Sequence, residues 1–379
     1  MLPSRPIYDE DHRLFRDSVR GFFARELQPH KAAWRAAGMV PRGFWRKAGA
    51  AGLLCPSVPE AYGGPGGDFR HHCVVDEELA YGGLAIGLSV HSDICMPYIL
   101  RYGSEDQKRT WLPKMVAGEI VVAIAMSEPG AGSDLQGIRT VARRDGDDYV
   151  ISGSKTFITN GIAADLVIVV ARTDPDVEAA KGISLLLVET DRPGFRRGRA
   201  LRKIGQKASD TAELFFDEVR VPVANRLGAE NQGFVYLMQE LPQERLVIAV
   251  AAAAAAQHAF DITRDHVRER KAFGRPIAAF QNTRFALAEM ATEIAVGWAF
   301  VDQCIARHLE GRLDVAGAAM AKLWLSEMQG RVVDRCLQLF GGYGYMEEYE
   351  IAHHFVDARV QRIYGGTSEI MKELIARFL

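Results

Sequence analysis

Hydrophobic periodicity changes twice along this 379-residue chain, and that double switch limits the possible folds more than any other feature. From Asp9 to about Gly118 the apolar residues keep helical spacing. Phe15, Val19 and Phe23 recur every four positions with Phe22 beside them, and Arg13, Arg16, Asp17 and Arg20 take the other face. Gly63-Gly64-Pro65-Gly66-Gly67 interrupts the helices with a loop, and Ser104-Glu105-Asp106-Gln107 has the form of an N-cap followed by an acidic first turn. From about Glu119 to Asn225 the pattern becomes short β-branched runs between turn signals: Val121 to Ala125, Tyr149 to Ser152, Leu166 to Ala171, Ile183 to Val188 and Glu213 to Phe216. Asp145-Gly146-Asp147 has the composition of a hairpin turn. No helix-sized segment alternates with these runs, which favours an antiparallel β-barrel or sandwich over a doubly wound sheet. After Gly228 the helical period returns. Met320, Trp324, Met328, Val332, Cys336 and Phe340 step by four as the apolar stripe of a long bundle helix, and Ala251 to Ala256 suits close helix packing. The expectation is an α+β multidomain protein: an N-terminal helical domain over 1–118, a middle β domain over 119–227 and a C-terminal helical bundle over 228–379.

A hydrophobic share of 48% is enough for substantial cores, and a net charge of −2 leaves no overall electrostatic footprint for nucleic acid. The five cysteines, Cys55, Cys73, Cys95, Cys304 and Cys336, are scattered without a C-x-x-C pair, as suits reduced thiols rather than a zinc site or a disulfide frame. His71-His72 and His353-His354 lack a companion ligand set, so no metal is expected. The longest apolar run, Leu246 to Ala256, is too short to span a bilayer, and the first residues resemble neither a signal nor a transit peptide. No membrane insertion and a cytoplasmic location are the expectations.

Several motifs carry chemistry, although each has a plain structural reading by itself. Ser127-Glu128-Pro129-Gly130-Ala131-Gly132-Ser133-Asp134 follows a predicted strand; its glycines let backbone N–H groups converge on an anion or polar ring edge, or simply close a hairpin. Lys155-Thr156-Phe157-Ile158-Thr159-Asn160-Gly161 reads as a strand ending in a turn. Arg270-Lys271-Ala272-Phe273-Gly274-Arg275-Pro276 reads as a basic helix end, with an arginine suited to pyrophosphate and an aromatic suited to adenine or flavin. Glu244, in Leu241-Pro242-Gln243-Glu244-Arg245, would ordinarily be a helix N-terminal carboxylate or half of an ion pair. The spacing G-x-G-x-x-G is absent from any strand-to-helix setting, which disfavours a Rossmann nicotinamide enzyme.

Taken together and in this order, these motifs resemble the acyl-CoA dehydrogenase family of flavoenzymes, and the likeness spans essentially the whole chain. Leu241 to Arg245, Arg268-Glu269-Arg270-Lys271-Ala272-Phe273-Gly274, and Ile363-Tyr364-Gly365-Gly366-Thr367 with Met371 to Arg377 are most similar to the long-chain branch. The resemblance implies FAD-dependent α,β-dehydrogenation of an acyl-CoA to the trans-2-enoyl-CoA, with electrons passed to an electron-transfer flavoprotein. For the flavin it implies contacts from Ile124, Met126, Ser127, Gly132, Ser133, Phe157, Ile158 and Thr159, and from Thr367 and Glu369. Arg270, Phe273, Gln281, Gln338, Gly341 and Gly342 would reach FAD held mainly by a neighbouring subunit, so a homotetramer built as a dimer of dimers is expected. Phe157 stands where many relatives carry tryptophan.

Most of the family places its catalytic glutamate where this chain has Gly365. In the long-chain and isovaleryl branch the base comes instead from the position matching Glu244. The reaction needs a carboxylate in a water-poor site, with its pKa raised toward neutrality, and donors to the thioester oxygen. Glu244 is therefore the expected base, and Glu369 and Glu240 are weaker rivals. Gly365 is expected to supply a backbone N–H to the thioester, with Ser133, Pro242, Gln243, Arg245 and Gly366 as further substrate contacts. An acyl-CoA oxidase and a nucleic-acid-binding flavoprotein of the same family are the alternatives. Straight, branched and terpenoid-derived chains all remain open.

Overall fold

A computed structural model describes residues 2–379. Helices α1 (Glu10–Glu26), α2 (Lys31–Ala37), α3 (Arg42–Ala50), α4 (Phe69–Tyr81), α5 (Met96–Tyr102) and α6 (Glu105–Val116) form the first layer. The N-cap at Ser104 forms as expected, with the Gln107 side chain returning the bond to the Ser104 N–H. A π-helical turn, Val90–Cys95, leads into α5. Val19, Phe22 and Phe23 of α1 are buried, but the expected polar face is not all solvated: Arg16 and Arg20 reach across to Glu77 and Glu78 on α4.

Strands β1 (Val122–Ala125), β2 (Val141–Asp145), β3 (Asp148–Thr159), β4 (Leu166–Arg172), β5 (Ile183–Glu189), β6 (Phe195–Ala200), β7 (Thr211–Pro222) and β8 (Arg226–Leu227) make one sheet in the order β6-β7-β3-β2-β4-β5-β8, with β1 also on β4. The β2–β3 hairpin closes at Asp145↔Asp148 around Gly146, whose φ is +63°. Two expectations are corrected. The sheet does not close, because β6 and β8 end the path on opposite sides; and it is not purely antiparallel, because β4 pairs in parallel with β1 and, at Arg172, with β2. Its charged edge strand β6, with Arg196, Arg197 and Arg199, lacks the apolar alternation by which a strand is recognised from sequence.

The last layer holds α7 (Gly233–Glu269), the two-residue pair β9 (Lys271–Ala272) and β10 (Arg275–Pro276), then α8 (Gln281–Leu309), α9 (Val315–Phe340), α10 (Glu350–Ala358) and α11 (Ser368–Ala376). By length and hydropathy α7 could cross a bilayer, but 61% of its apolar window is already buried inside the protein. Its alanines, Ala252 to Ala256, let α4, α8 and α9 pack closely against it. The α9 stripe is buried at Met328, Val332, Cys336 and Phe340, whereas Met320 and Trp324 are each 38% exposed, so the bundle core covers the last four of its six positions.

Side chains that cross between layers set the site in place. Lys155 on β3 is 1% exposed; its Nζ meets Glu128 Oε1 at 2.8 Å and the Met126 carbonyl at 3.0 Å. Glu128 in turn accepts the Arg139 and Thr140 N–H groups at 2.6 and 3.0 Å, so one buried ion pair anchors the Gly-rich turn to β3. Asn160, at the end of β3, donates to the Gly87 carbonyl at 2.9 Å and ties the sheet to the loop before the π-helical turn. His12, Asp68 and His71 bring three potential metal-ligand atoms within 4.8 Å of one another. Their bonds have a structural explanation: His71 Nδ1 accepts the Asp68 N–H in the capping box of α4. Replacing Lys155 by methionine leaves the Glu128 carboxylate buried without its counter-charge. We expect a loss of about 3 kcal/mol or more of stability, read as a lower urea midpoint, with unchanged unfolding as the contrary result.

Candidate active site

Glu244 lies inside α7, with Pro242 also within the helix, so it is not the helix-terminal carboxylate its sequence context suggests. Proline in a helix interior removes one backbone bond and crowds the preceding turn, a local cost that the packing of α7 must offset. Glu244 is 5% exposed, and its one hydrogen-bond partner among the described residues is the Tyr98 hydroxyl of α5, which donates to Oε1 at 2.8 Å. Burial is the dominant influence on this carboxyl and Glu240 adds to it; the Tyr98 bond and Arg245 act the other way. The net result is a pKa pushed up to about 7.

The two rival carboxylates have different surroundings. Glu240 is buried, but Arg101 Nη1 lies 3.0 and 2.9 Å from its two oxygens and the Tyr102 hydroxyl lies 2.7 Å from Oε1, so it is held as an ion pair. Glu369 is exposed in the first turn of α11, which Thr367 caps by accepting the Ile370 N–H at 3.2 Å. Neither of these carboxylates faces the cavity that Glu244 lines.

That cavity, of about 250 Å³, lies between Glu244, Val247, Ile248 and Ala251 of α7, Gly365, and the flavin-side candidates Ile124, Phe157 and Thr159. Gly365 and Gly366 have φ of +63° and +94°, the left-handed region that glycine adopts without a Cβ penalty. A Cβ at 365 would stand 2.4 Å from Ile248 Cδ1. Ile248 follows Glu244 by one turn on the same face, so the helix that brings the carboxyl also fills the room a side chain at 365 would need. Two cations hold the carbonyls of this glycine pair: Arg245 Nε lies 3.5 Å from the Gly365 oxygen, and the fully buried Lys322 Nζ lies 2.6 Å from the Gly366 oxygen.

The other wall fits a flavin ring. Phe157 has φ +60° at a bulge of β3 and its ring is 71% exposed, an unusual combination for a large aromatic residue. Strain of this kind persists where surrounding structure enforces it, here the buried neighbours Lys155, Thr156 and Ile158. It leaves a flat apolar face beside the Thr159 hydroxyl. Met126 and Ser127 run alongside, with the Thr156 N–H on the Ser127 carbonyl at 2.9 Å, and a Cβ added at Gly130 or Gly132 would meet nothing within 4 Å. Ser133 is exposed just beyond.

Arg270, Phe273, Gln281, Gln338, Gly341 and Gly342 form a second region at the far ends of α7 and α9, outside the cavity lining. Phe273 is 95% exposed with φ +51°, and the Arg270 guanidinium sits 5.4 Å from the Tyr343 ring centre. Pro242, Gln243 and Gly366 also lie outside the lining. Gln243 turns away from it, donating to the Asp93 carbonyl at 2.8 Å. Tyr98, Ile248 and Lys322 are site residues that sequence reasoning missed, since each acts through a contact distant in the chain. Only the four-residue step from Glu244 to Ile248 left a signal.

Three family models cover almost the whole chain: the acyl-CoA dehydrogenase N-terminal domain over residues 9–119, the middle domain over 123–219 and the C-terminal domain over 231–379. The mitochondrial long-chain specific acyl-CoA dehydrogenase of Sus scrofa is 55% identical over 375 residues, 98% of this chain and 87% of that protein. The crystal structure of acyl-CoA dehydrogenase from Geobacillus kaustophilus superposes with a TM-score of 0.97 at 52% identity, covering 99% of both chains. A glutaryl-CoA dehydrogenase from Mycobacterium smegmatis, solved in complex with FADH2, has a TM-score of 0.92 at 31% identity over 98% of this chain and 95% of that one. On fold, site and sequence alike, the chain belongs to the acyl-CoA dehydrogenase family, a family of flavoprotein oxidoreductases that act on acyl-CoA thioesters in fatty-acid β-oxidation.

Proposed function

We propose that this enzyme removes the α-proton of an acyl-CoA with Glu244 and works with FAD, giving the trans-2-enoyl-CoA. The observation that carries this reading is the Glu244 carboxyl, whose pKa is pushed up to about 7 and whose one hydrogen-bond partner among the described residues is the Tyr98 hydroxyl, in the cavity that also contains Gly365, Phe157 and Thr159. When bound, FAD supplies the acceptor for the β-hydrogen as hydride. Phe157 and Thr159 are the residues to hold its ring; Arg270, Phe273, Gln281 and the Gln338–Gly342 segment, being remote from that cavity, are suited to the adenosine end of FAD bound to another copy. A cofactor divided this way fits a homotetramer, and an electron-transfer flavoprotein is the electron acceptor we propose.

The chain's own contributions follow from the geometry. Ionised Glu244 is poorly solvated, so it is a stronger base than a carboxylate in water, and the Tyr98 hydroxyl keeps Oε1 in one orientation. The Gly365 N–H, in a loop held by Arg245 and Lys322, is the proposed donor to the thioester oxygen, where enolate charge develops. Exclusion of water by Val247, Ile248 and Ala251 strengthens both interactions.

Glu244→Gln should still bind acyl-CoA while flavin reduction slows by about 10²- to 10⁴-fold, the usual span for loss of a general base. Undiminished reduction in anaerobic stopped flow would remove Glu244 from the role. For the free enzyme, kcat/KM should rise with pH and level off above about 7, since the base acts ionised. Tyr98→Phe removes the bond that holds the pKa down, so the rising limb should move to higher pH; a limb that stays put or moves lower would contradict the assignment.

A further inference from the structure

Between Tyr364, whose N–H bonds the Val360 carbonyl at 3.1 Å, and Thr367, which caps α11, the chain consists of two glycines with φ of +63° and +94°. A Gly-Gly step has more backbone freedom than any other, so its conformation must be set from outside. The N–H groups of Gly365 and Gly366 have no acceptor among the described residues, and the pair is held through its carbonyls instead. Arg245 Nε reaches the Gly365 oxygen only at 3.5 Å, longer than an ordinary N–H···O bond, whereas Lys322 Nζ donates to the Gly366 oxygen at 2.6 Å. The lysine is the stronger tether.

Lys322 is 0% exposed on α9, and that carbonyl is its one hydrogen-bond partner among the described residues. Burial first and Arg245 second lower its pKa to about 8, which leaves it charged at neutral pH. Glu327 and Glu369 draw on this charge only from a distance. Glu327 is engaged with Ser368 Oγ at 2.7 Å and Arg362 Nη1 at 3.3 Å, and Glu369 is exposed. A buried ammonium with no carboxylate against it is costly, and packing alone does not explain it. A charge-assisted bond to a carbonyl is roughly twice as strong as a neutral one, which suits the fixing of a turn that has no rigidity of its own. The Glu327 contacts hold the segment on both sides of the glycines, so α9 carries this turn as α7 carries Glu244.

We infer that Lys322 is a positioning residue of the dehydrogenation: by gripping the Gly366 carbonyl it fixes the Gly365–Gly366 turn so that the Gly365 N–H stays on the thioester oxygen. This rests on the donor role proposed above for Gly365 and names the residue that enforces it. A donor stabilises developing charge fully only when it is already held in place, since reorientation during the reaction would consume the gain.

The test uses the intact flavin-loaded enzyme with bound trans-2-dodecenoyl-CoA, carbon-13-labelled or unlabelled at the thioester carbonyl, whose C=O stretch is isolated by infrared difference. In the wild type this band should lie below its position in water. Lys322→Met should move it back toward that position and slow anaerobic flavin reduction by saturated acyl-CoA about tenfold or more, chiefly in kcat, with rates counted per bound flavin. Lys322→Arg, which restores a cation, should keep the wild-type band. Flavin content and melting temperature check that each variant folds, and Lys322→Gln, neutral and one atom shorter, takes the place of Lys322→Met if the methionine variant does not. A purely structural lysine would lower melting temperature and flavin content while leaving the band where it was. That result, or an arginine variant no better than the methionine one, would overturn the inference and leave dehydrogenation by Glu244 standing. A wild-type band at its position in water would instead remove the Gly365 donor itself, and this inference with it.

Discussion

A carboxyl buried without a cation is the constraint on which this site depends. Moving an ionised carboxylate out of water is costly, and proteins usually answer with an arginine or lysine, as this chain does at Glu240, Glu128 and Glu77. At Glu244 the one hydrogen-bond partner among the described residues is a phenol, and Arg245 acts on the carboxyl without bonding to it. The consequence is a group balanced between protonation states near pH 7, which is what reversible proton abstraction from a weak carbon acid needs. Glu240 makes the contrast within one helix: one turn away and also buried, it is paired with Arg101 and accepts from the Tyr102 hydroxyl.

The rest of the architecture keeps that carboxyl dry and aimed. Helix α7 is long and packed between α4, α8 and α9, so the position of Glu244 is set by a rigid element rather than a loop. The same helix places Ile248 Cδ1 2.4 Å from where a Cβ at 365 would stand, so a side chain there would need Ile248 to shift as well as a strained φ of +63°. The sheet brings up the opposing wall, with Phe157 forced outward at a bulge and the Lys155–Glu128 pair fixing the strand against the Gly-rich turn.

Much of this was legible in sequence. The two changes of period marked the helical and β layers, since burial of one face imprints the repeat on the chain. The motifs around Gly132, Phe157, Glu244 and Gly365 identified the family. What stayed hidden depended on long-range contacts. Strand β6 is too charged to show alternation, and the parallel pairing of β1 with β4 has no local mark. Tyr98 meets Glu244 across 146 positions, and Lys322 meets Gly366 across 44. The Glu244 context pointed to a helix start because Pro242 usually signals one, and only packing shows that the helix passes through it.

The most direct measurement is the protonation state of Glu244 itself. Infrared difference spectra of wild type minus Glu244→Gln, recorded across pH, isolate the C=O stretch of this one protonated carboxyl. The account requires that band to be present at pH 5 and to fade with a midpoint near 7. A carboxyl already ionised at pH 5, titrating near its ordinary value of 4.5, would contradict it.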